Sequence, residues 1–485
     1  MVSSAPAFRL ENTPEVEKSP VKWCSVTLSD VISRGKRLEA SVFDIEAKQA
    51  WQILSNGKYE CVTLYGEDGI VKDAYYLGRF KRVYMDGFDG EAFYLPSQMN
   101  DIYPKPEKWI SKITKCDFED LRLKRNTLLL TRSGTIGNVS LVSRTLQGKI
   151  FSDDVIRITF KNTYDLGYVY TFLKSEIGNK ILTTNGYGSV ITHLEPEHLR
   201  EIRVPDAPVS IKERIHQFII RSYDLRDESN DLLEHANELM LRELSLPPIK
   251  NWMHNHSAVN AFSVKLSRLD GRADASYHLP LAGAIIEHLR KNAEEVTTIG
   301  DARISKDVVL PGRFKRVYVD KGYGRVFIGG KQLWELDPTN KKYLSIVHHG
   351  DRIAKQLELH ENMTLITCSG TIGKVSLVGK QWENWTANQH IIRVIPANEE
   401  IAGYLNVFLS SDYGYQLITR FTYGSVVDEI DDNHVRQIAI PLLKDHAVQK
   451  RINDLALEAN KKRYEAYCLE QEALRMMNEE VIFAK

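Results

Sequence analysis

Several stretches of this chain carry the residue types that do chemistry, and each can be tested against the spacing that chemistry demands. Gly370-Thr371-Ile372-Gly373-Lys374 has the glycines and lysine of a loop that cradles phosphates. The spacing is wrong for that role, no Ser or Thr follows the lysine to meet a metal, and Asn138 stands in its place in a second occurrence of the motif. His193-Leu194-Glu195-Pro196-Glu197-His198 has metal-ligand types, yet the related Glu429-Ile430-Asp431-Asp432-Asn433-His434 keeps only acids and one histidine. Proline and acids in the first turn of a helix explain both without a metal. The acids of Asp117 to Lys124 have the types of a nuclease site but no repeat, and such runs are ordinarily solvated faces. Neither an adenine-holding [ND]-P-P-[YF] loop nor a G-x-G cofactor loop occurs. No enzyme is therefore expected here.

What remains is a binding chemistry. Arg79-Phe80-Lys81-Arg82-Val83-Tyr84 interleaves three cations with two aromatics, the composition that meets a phosphate backbone. It returns unchanged as Arg313-Phe314-Lys315-Arg316-Val317-Tyr318. A strand with a solvated basic face is the structural alternative. Ser133-Gly134-Thr135-Ile136-Gly137 returns 236 residues later as Ser369 to Gly373, within fifteen-residue blocks that share eleven identities. Glycine-rich turns expose backbone N–H groups, so Ser133, Thr135, Ser369 and Thr371 are phosphate candidates, although the apolar flanks favour a scaffold role. Tyr187 and Tyr423, each followed by Gly-Ser-Val, complete the candidate DNA-contacting set. Base reading should fall on residues that differ between the copies.

The elements that position these residues are therefore duplicated, and the expected class is α+β. Glu39 to Leu54, with Ala275 to Leu289 as its counterpart, reads as a packing helix. Glu60 to Tyr65, Ala74 to Leu77, Phe80 to Tyr84, Leu128 to Leu130, Val139 to Val142 and Val155 to Phe160 read as strands, with Lys105 to Lys124 polar. Leu166 to Leu182 has helical spacing throughout. Each copy ends in a buried strand closing on proline, at Pro205 and Pro441.

Beyond each proline lies a long heptad ladder. One runs through Ile211, Ile215, Phe218, Leu225, Leu232 and Leu239, the other through Val448, Ile452, Leu455, Leu469 and Met476, and the pattern predicts two helices paired as an antiparallel coiled coil with pseudo-two-fold symmetry. The expected organisation is an N-terminal arm over 1–20, recognition domains over 21–208 and 248–444, and spacer helices over 209–247 and 445–485. Helices of 30 to 37 residues would span roughly 45 to 55 Å at ~1.5 Å per residue, more than the ~34 Å of one DNA turn. Domains at the two ends would then read two short sites across untouched base pairs, with the helices as the ruler.

The totals agree with a soluble protein. Apolar residues make up 43% and charged residues 26% of 485, and 64 basic side chains balance 64 acidic ones, which excludes a uniformly basic face. Five cysteines without a C-x-x-C pair exclude a zinc or disulfide framework, and the absence of a long apolar run points to the cytoplasm.

The repeated SGTIG, the Tyr-Gly-Ser loops, the Pro-terminated strands and the domain-helix-domain-helix order together resemble a type I restriction-modification specificity subunit. The resemblance covers nearly the whole chain, apart from the N-terminal arm. It implies a non-catalytic reader of double-stranded DNA with a bipartite target, bound to two methyltransferase subunits that carry S-adenosylmethionine, and to restriction-translocase subunits where the system cleaves. The alternative from another class is a structural subunit that organises an enzyme complex without touching DNA.

Overall fold

The computed structural model describes residues 25–33, 44–85, 89–184, 193–256, 261–269, 271–424 and 426–485. The expected arm over 1–20 and Tyr187 lie outside them. The first repeat builds three sheets. Strand β1 (Cys61–Thr63) pairs antiparallel with β10 (Arg203–Pro205), bringing the Pro-terminated strand back to the start of the domain. Strands β2 (Val71–Tyr75), β9 (Val155–Phe160), β6 (Leu128–Thr131) and β7 (Val139–Leu141) form an antiparallel sheet in the order β2-β9-β6-β7. A third sheet runs β3-β5-β4-β8, from Tyr84–Met85, Lys108–Ile110, Glu91–Tyr94 and Ile150–Phe151, and its last pair is parallel.

The second repeat duplicates this plan strand for strand. Its pair is Glu295–Thr298 with Ala439–Leu442, and its two four-stranded sheets have the same order and the same single parallel pairing. Even a register shift recurs, between Val71 and Asp73 and between Ser305 and Asp307.

The middle strand shows why the sequence folds this way. Side chains alternate across a strand, and in β6 Leu128 and Leu130 join the core under the helices while Leu129 joins a second core with Tyr94, Phe151 and Val155. Burial on both faces accounts for the unbroken apolar run. The continuous helix expected over Leu166 to Leu182 is instead two, Thr163–Lys174 and Glu176–Thr184. Ser175 is extended at the break, and its Oγ donates to the Phe172 carbonyl (2.6 Å) while accepting from the Gly178 N–H (3.1 Å). Ser411 does the same with Phe408 and Gly414, at 2.6 and 3.1 Å. Periodicity runs straight through the break, which is why it concealed the break. The helix expected from Glu39 is described from Ile45 to Ser55, with Asp44 capping it through the Glu46 and Ala47 N–H groups. Its counterpart is a 3-10 turn over Ala275–His278 followed by a helix over Pro280–Asn292.

Two long helices follow the domains, Val209–Glu243 and His446–Met476, of 35 and 31 residues. They run antiparallel. Arg214 meets Glu480 (3.5 Å), Ser222 Oγ donates to the Ala466 carbonyl (2.7 Å), and Lys462 meets Glu228 (2.7 Å). Every ladder residue named above is at least half-buried. Ile215, Ile219 and Tyr223 share the first domain's core with Ala473, Met476 and Val481. At the other end, Ala236, Met240 and Leu244 share the second domain's core with Ile452, Leu455 and Ala456. Among the described residues no helix is long and apolar enough to cross a membrane.

Within the helix pair Glu470 is 1% exposed and holds three partners, the Lys174 ammonium, the Arg226 guanidinium and the Tyr170 hydroxyl (3.0 Å). Burial works against its charge, but Lys174 and then Arg226 outweigh it and hold the carboxyl down to about 2. Removing one partner of a buried cluster leaves the others uncompensated, so Glu470→Ala should cost about 3–5 kcal/mol in denaturant titrations. The folded pKa lies below the unfolded value of roughly 4.3. The carboxylate's contribution is therefore complete at neutral pH and is lost as the pH falls from about 4 towards 2, a loss that Glu470→Ala should not show.

Candidate nucleic-acid interface

Phe80 to Tyr84 was expected to be a strand, but of that run only Tyr84 enters a ladder, with Met85 after it, opposite Ile110 and Trp109. The preceding residues are held by their side chains instead. The Phe80 ring packs edge-on against Phe93 (6.4 Å, 88°), and Phe314 packs the same way against Phe327 (6.4 Å, 84°). With the rings turned in, the cations divide. Arg79, Lys81, Arg313 and Lys315 are exposed. Arg313 reaches Glu429 (3.1 Å), while among the described residues no acid pairs with Arg79, Lys81 or Lys315.

Arg82 and Arg316, expected to meet phosphate, turn towards the protein. Arg82 lies over Phe93 (5.4 Å), forms an ion pair with Asp153 and donates to Ser152 Oγ (3.4 Å). Burial disfavours its charge and Asp153 more than restores it, so its pKa is raised. Arg316 lies over Phe327 (5.7 Å) and donates to Gln389 Oε1 (2.6 Å). Tyr84 and Tyr318 stay 45% and 43% exposed, with Lys108 and Lys342 over their rings at 4.8 and 5.4 Å. Each repeat thus presents a lysine-capped tyrosine beside two exposed cations, a surface that suits phosphate contact and ring stacking.

The SGTIG turns have one geometry. Gly134 and Gly137 take φ of +73° and +87°, and Gly370 and Gly373 take +75° and +85°. Thr131 Oγ1 donates to the Thr135 carbonyl (2.7 Å) and accepts from the Asn138 N–H (3.1 Å). Ile136 is half-buried and Ile372 buried, leaving Thr135 and Thr371 exposed at the crest. Ser133 is less available, because its Oγ donates to Asp154 (2.7 Å) and lies 3.0 Å from His193 Nδ1. Ser369 and Tyr423 both form bridges to Glu429. The Tyr423 ring is 42% exposed and lies 5.4 Å from His434, at the edge of a loop whose Val426 is 94% exposed.

The tripeptide before β9 ties these pieces together and was missed by sequence reasoning. In the first repeat it is Ser152-Asp153-Asp154, in which Asp153 takes Arg82 while Asp154 takes Ser133 and Arg132 (3.4 Å). Arg132 also lies over Tyr76 (3.9 Å) and pairs with Glu195. In the second repeat the same place holds Asn388-Gln389-His390, with Cys368 where Arg132 stood. The Cys368 N–H donates to the His390 carbonyl (3.0 Å), and burial, followed by Glu429, pushes its thiol up to about 12. Burial, then Arg316 and Arg313, lowers the His390 pKa. Identical frames therefore surround different centres, acid and arginine in one and amide, imidazole and thiol in the other. Variable columns beside invariant ones were the available signal.

The rejected metal segment is otherwise engaged. His198 Nδ1 accepts the Glu195 N–H (2.9 Å) and caps a 3-10 turn over Pro196–Glu201. Asp117 caps the short helix Phe118–Leu121 through the Glu119 N–H (2.8 Å).

The two repeats are α+β domains of one plan that carry the same exposed basic frame. Residues 329–455 match the family model described as the type I restriction modification DNA specificity domain, Methylase_S. That segment contains the second SGTIG turn, Tyr423 and the Pro441 strand, each of which has a sequence counterpart in the first repeat. Solved structures similar to the chain include the S subunit of a type I restriction-modification system from M. genitalium (13% identity, 89% of this chain and 97% of that one, TM-score 0.31). The HsdS subunit from Thermoanaerobacter tengcongensis matches at 14% identity over 87% of this chain and 97% of that one, with a TM-score of 0.26. A chain from a study of assembly and conformational transition in the type I R-M system gives 14%, 87%, 98% and 0.26. No curated protein matches.

The two glycines of each turn should differ in sensitivity. A Cβ on Gly134 would meet nothing within 4 Å, whereas one on Gly137 would lie 2.5 Å from Thr183 Cγ2. Gly134→Ala should cost only the left-handed penalty of roughly 1–2 kcal/mol. Gly137→Ala should cost a further ~1–3 kcal/mol for overpacking. Thermal or urea unfolding of the two variants measures the difference.

Proposed function

We propose that the chain is the non-catalytic DNA reader of a methylation system, recognising a bipartite target in double-stranded DNA and presenting it to two adenine methyltransferase subunits. The observation that carries this reading is the pair of identical basic, aromatic frames, Arg79 to Tyr84 and Arg313 to Tyr318, on two domains joined by one antiparallel helix pair. A duplex has the matching two-fold symmetry, and half-sites about one turn apart suit paired readers. The recognition domains span 21–208 and 248–444, and the spacer helices 209–247 and 445–485. S-adenosylmethionine belongs to the methyltransferase partner, restriction-translocase subunits join where the system cleaves, and the assembly works in the cytoplasm. Exposed residues common to both repeats, such as Arg79, Lys81, Arg313 and Lys315, hold phosphates, and those that differ select bases: Gln can pair with adenine, and Asp can accept from cytosine.

Comparing methylomes of cells with and without the gene tests this directly. A split adenine-methylated motif should vanish with the gene, and an unchanged methylome would sink the proposal. The purified chain alone should transfer no methyl group. A second measurement separates DNA contact from scaffolding. Arg79→Ala with Lys81→Ala should weaken binding to all sequences and lower the salt slope by about one unit per lost phosphate contact. Arg82→Ala should instead act mainly on stability, because Arg82 is held by Asp153. An unchanged slope in the Arg79/Lys81 variant would place those cations away from DNA.

A further inference from the structure

The two domains touch each other directly, in addition to sharing the helices. Asp101 of the first repeat forms an antiparallel bridge with Glu335 of the second, and the Ile102 N–H donates to the Trp334 carbonyl (2.9 Å). Residues 101 and 335 stand 234 apart, the displacement that separates the two GRFKRVY copies. Each is therefore the other's repeat mate. A pairing of equivalent residues marks the local two-fold axis, as in an isologous interface.

Beyond this axis the contact is one-sided. Glu107 pairs with Lys374 (2.8 Å), the residue that follows the second SGTIG turn, and Lys374 is further held over the Trp334 ring (4.5 Å). Lys105 donates to the carbonyl of Ser410, the last residue of the helix Glu399–Ser410, where a cation is favoured. The reciprocal arm cannot form. Thr339 and Lys341 replace Lys105 and Glu107, Asn138 replaces Lys374, and Lys341 pairs with Asp337 inside its own repeat. The same segment is tied to the first long helix, with the Asn230 amide donating to the Ile102 carbonyl (2.9 Å) and the Tyr103 hydroxyl to Glu234 (2.8 Å).

We propose that residues 101–107 form a latch that fixes the separation and angle of the two recognition domains, so that Lys105 and Glu107 are positioning residues for spacer length. This rests on the bipartite reading proposed above. The helices set how far apart the domains can stand, and the latch selects one arrangement. Glu107 and Lys374 act through the frame and contact no base.

The test uses the full chain assembled with its methyltransferase on a duplex library. The wild-type half-sites are kept, and the gap between them is varied by one and two base pairs around the native value. The wild-type assembly should favour the native gap. Glu107→Lys should lower that preference by about 10-fold, within the ordinary range for coupling between sites, and leave the half-site sequences unchanged. Glu107→Gln, which removes the charge without reversing it, should lower it less, and adding Lys374→Glu to Glu107→Lys should restore it. Spacer preference that is unaltered in both single variants overturns the latch, as does a loss that the charge swap fails to repair. A wild-type assembly that methylates lone half-sites regardless of a second one overturns the bipartite reading itself.

Discussion

Ile215, Ile219 and Tyr223 on one long helix meet Ala473, Met476 and Val481 on the other inside the first domain, and Ala236 and Met240 meet Ile452 and Leu455 inside the second. Neither domain completes its core with residues of its own repeat alone. Because apolar surface must be removed from water, each domain is closed only when the helices are paired. The pairing is therefore both the link between the two domains and a condition for either core to close. Glu470 adds a polar constraint to this apolar one. A buried carboxylate satisfied by Lys174 from the first domain and Arg226 from the facing helix allows only one helix register there, since sliding by a turn would leave three charged groups unpaired.

Much of this was legible in the sequence, for physical reasons that differ by element. The strands around SGTIG were readable because burial on both faces demands an unbroken apolar run. The ladders were readable because the heptad seam is a property of spacing alone. The break at Ser175 was hidden, because a serine that caps both helices leaves the 3.6-residue pattern intact. Phe80 to Tyr84 looked like a strand because its residues are β-prone. The ring contacts with Phe93 that hold it outside a ladder depend on a strand eleven residues further on, which no local window contains.

The candidate surface was legible only in part. Cations interleaved with aromatics marked a candidate phosphate-contacting stretch, but not that Arg82 and Arg316 would turn inward onto Phe93 and Phe327 while their neighbours stayed outside. Nor could one copy reveal that Asp153 and Gln389 occupy one place. The tripeptides Ser152 to Asp154 and Asn388 to His390 share no residue, yet they stand 236 apart like the two SGTIG turns, so the repeat aligns them. Their common position against the arginine and the glycine turn is what the alignment leaves out.

The antiparallel arrangement also has a temporal side. Residues 215–223 leave the ribosome some 250 positions ahead of residues 473–481, with which they share a core. At about 5–20 residues per second this gap lasts on the order of ten to fifty seconds. During that interval the first domain lacks part of the apolar surface that completes its core. The second domain suffers no such delay, because Ile452 and Leu455 follow its last strand closely. The residues that complete the second domain's core are thus all made before those that complete the first, which needs the last turns of the second helix.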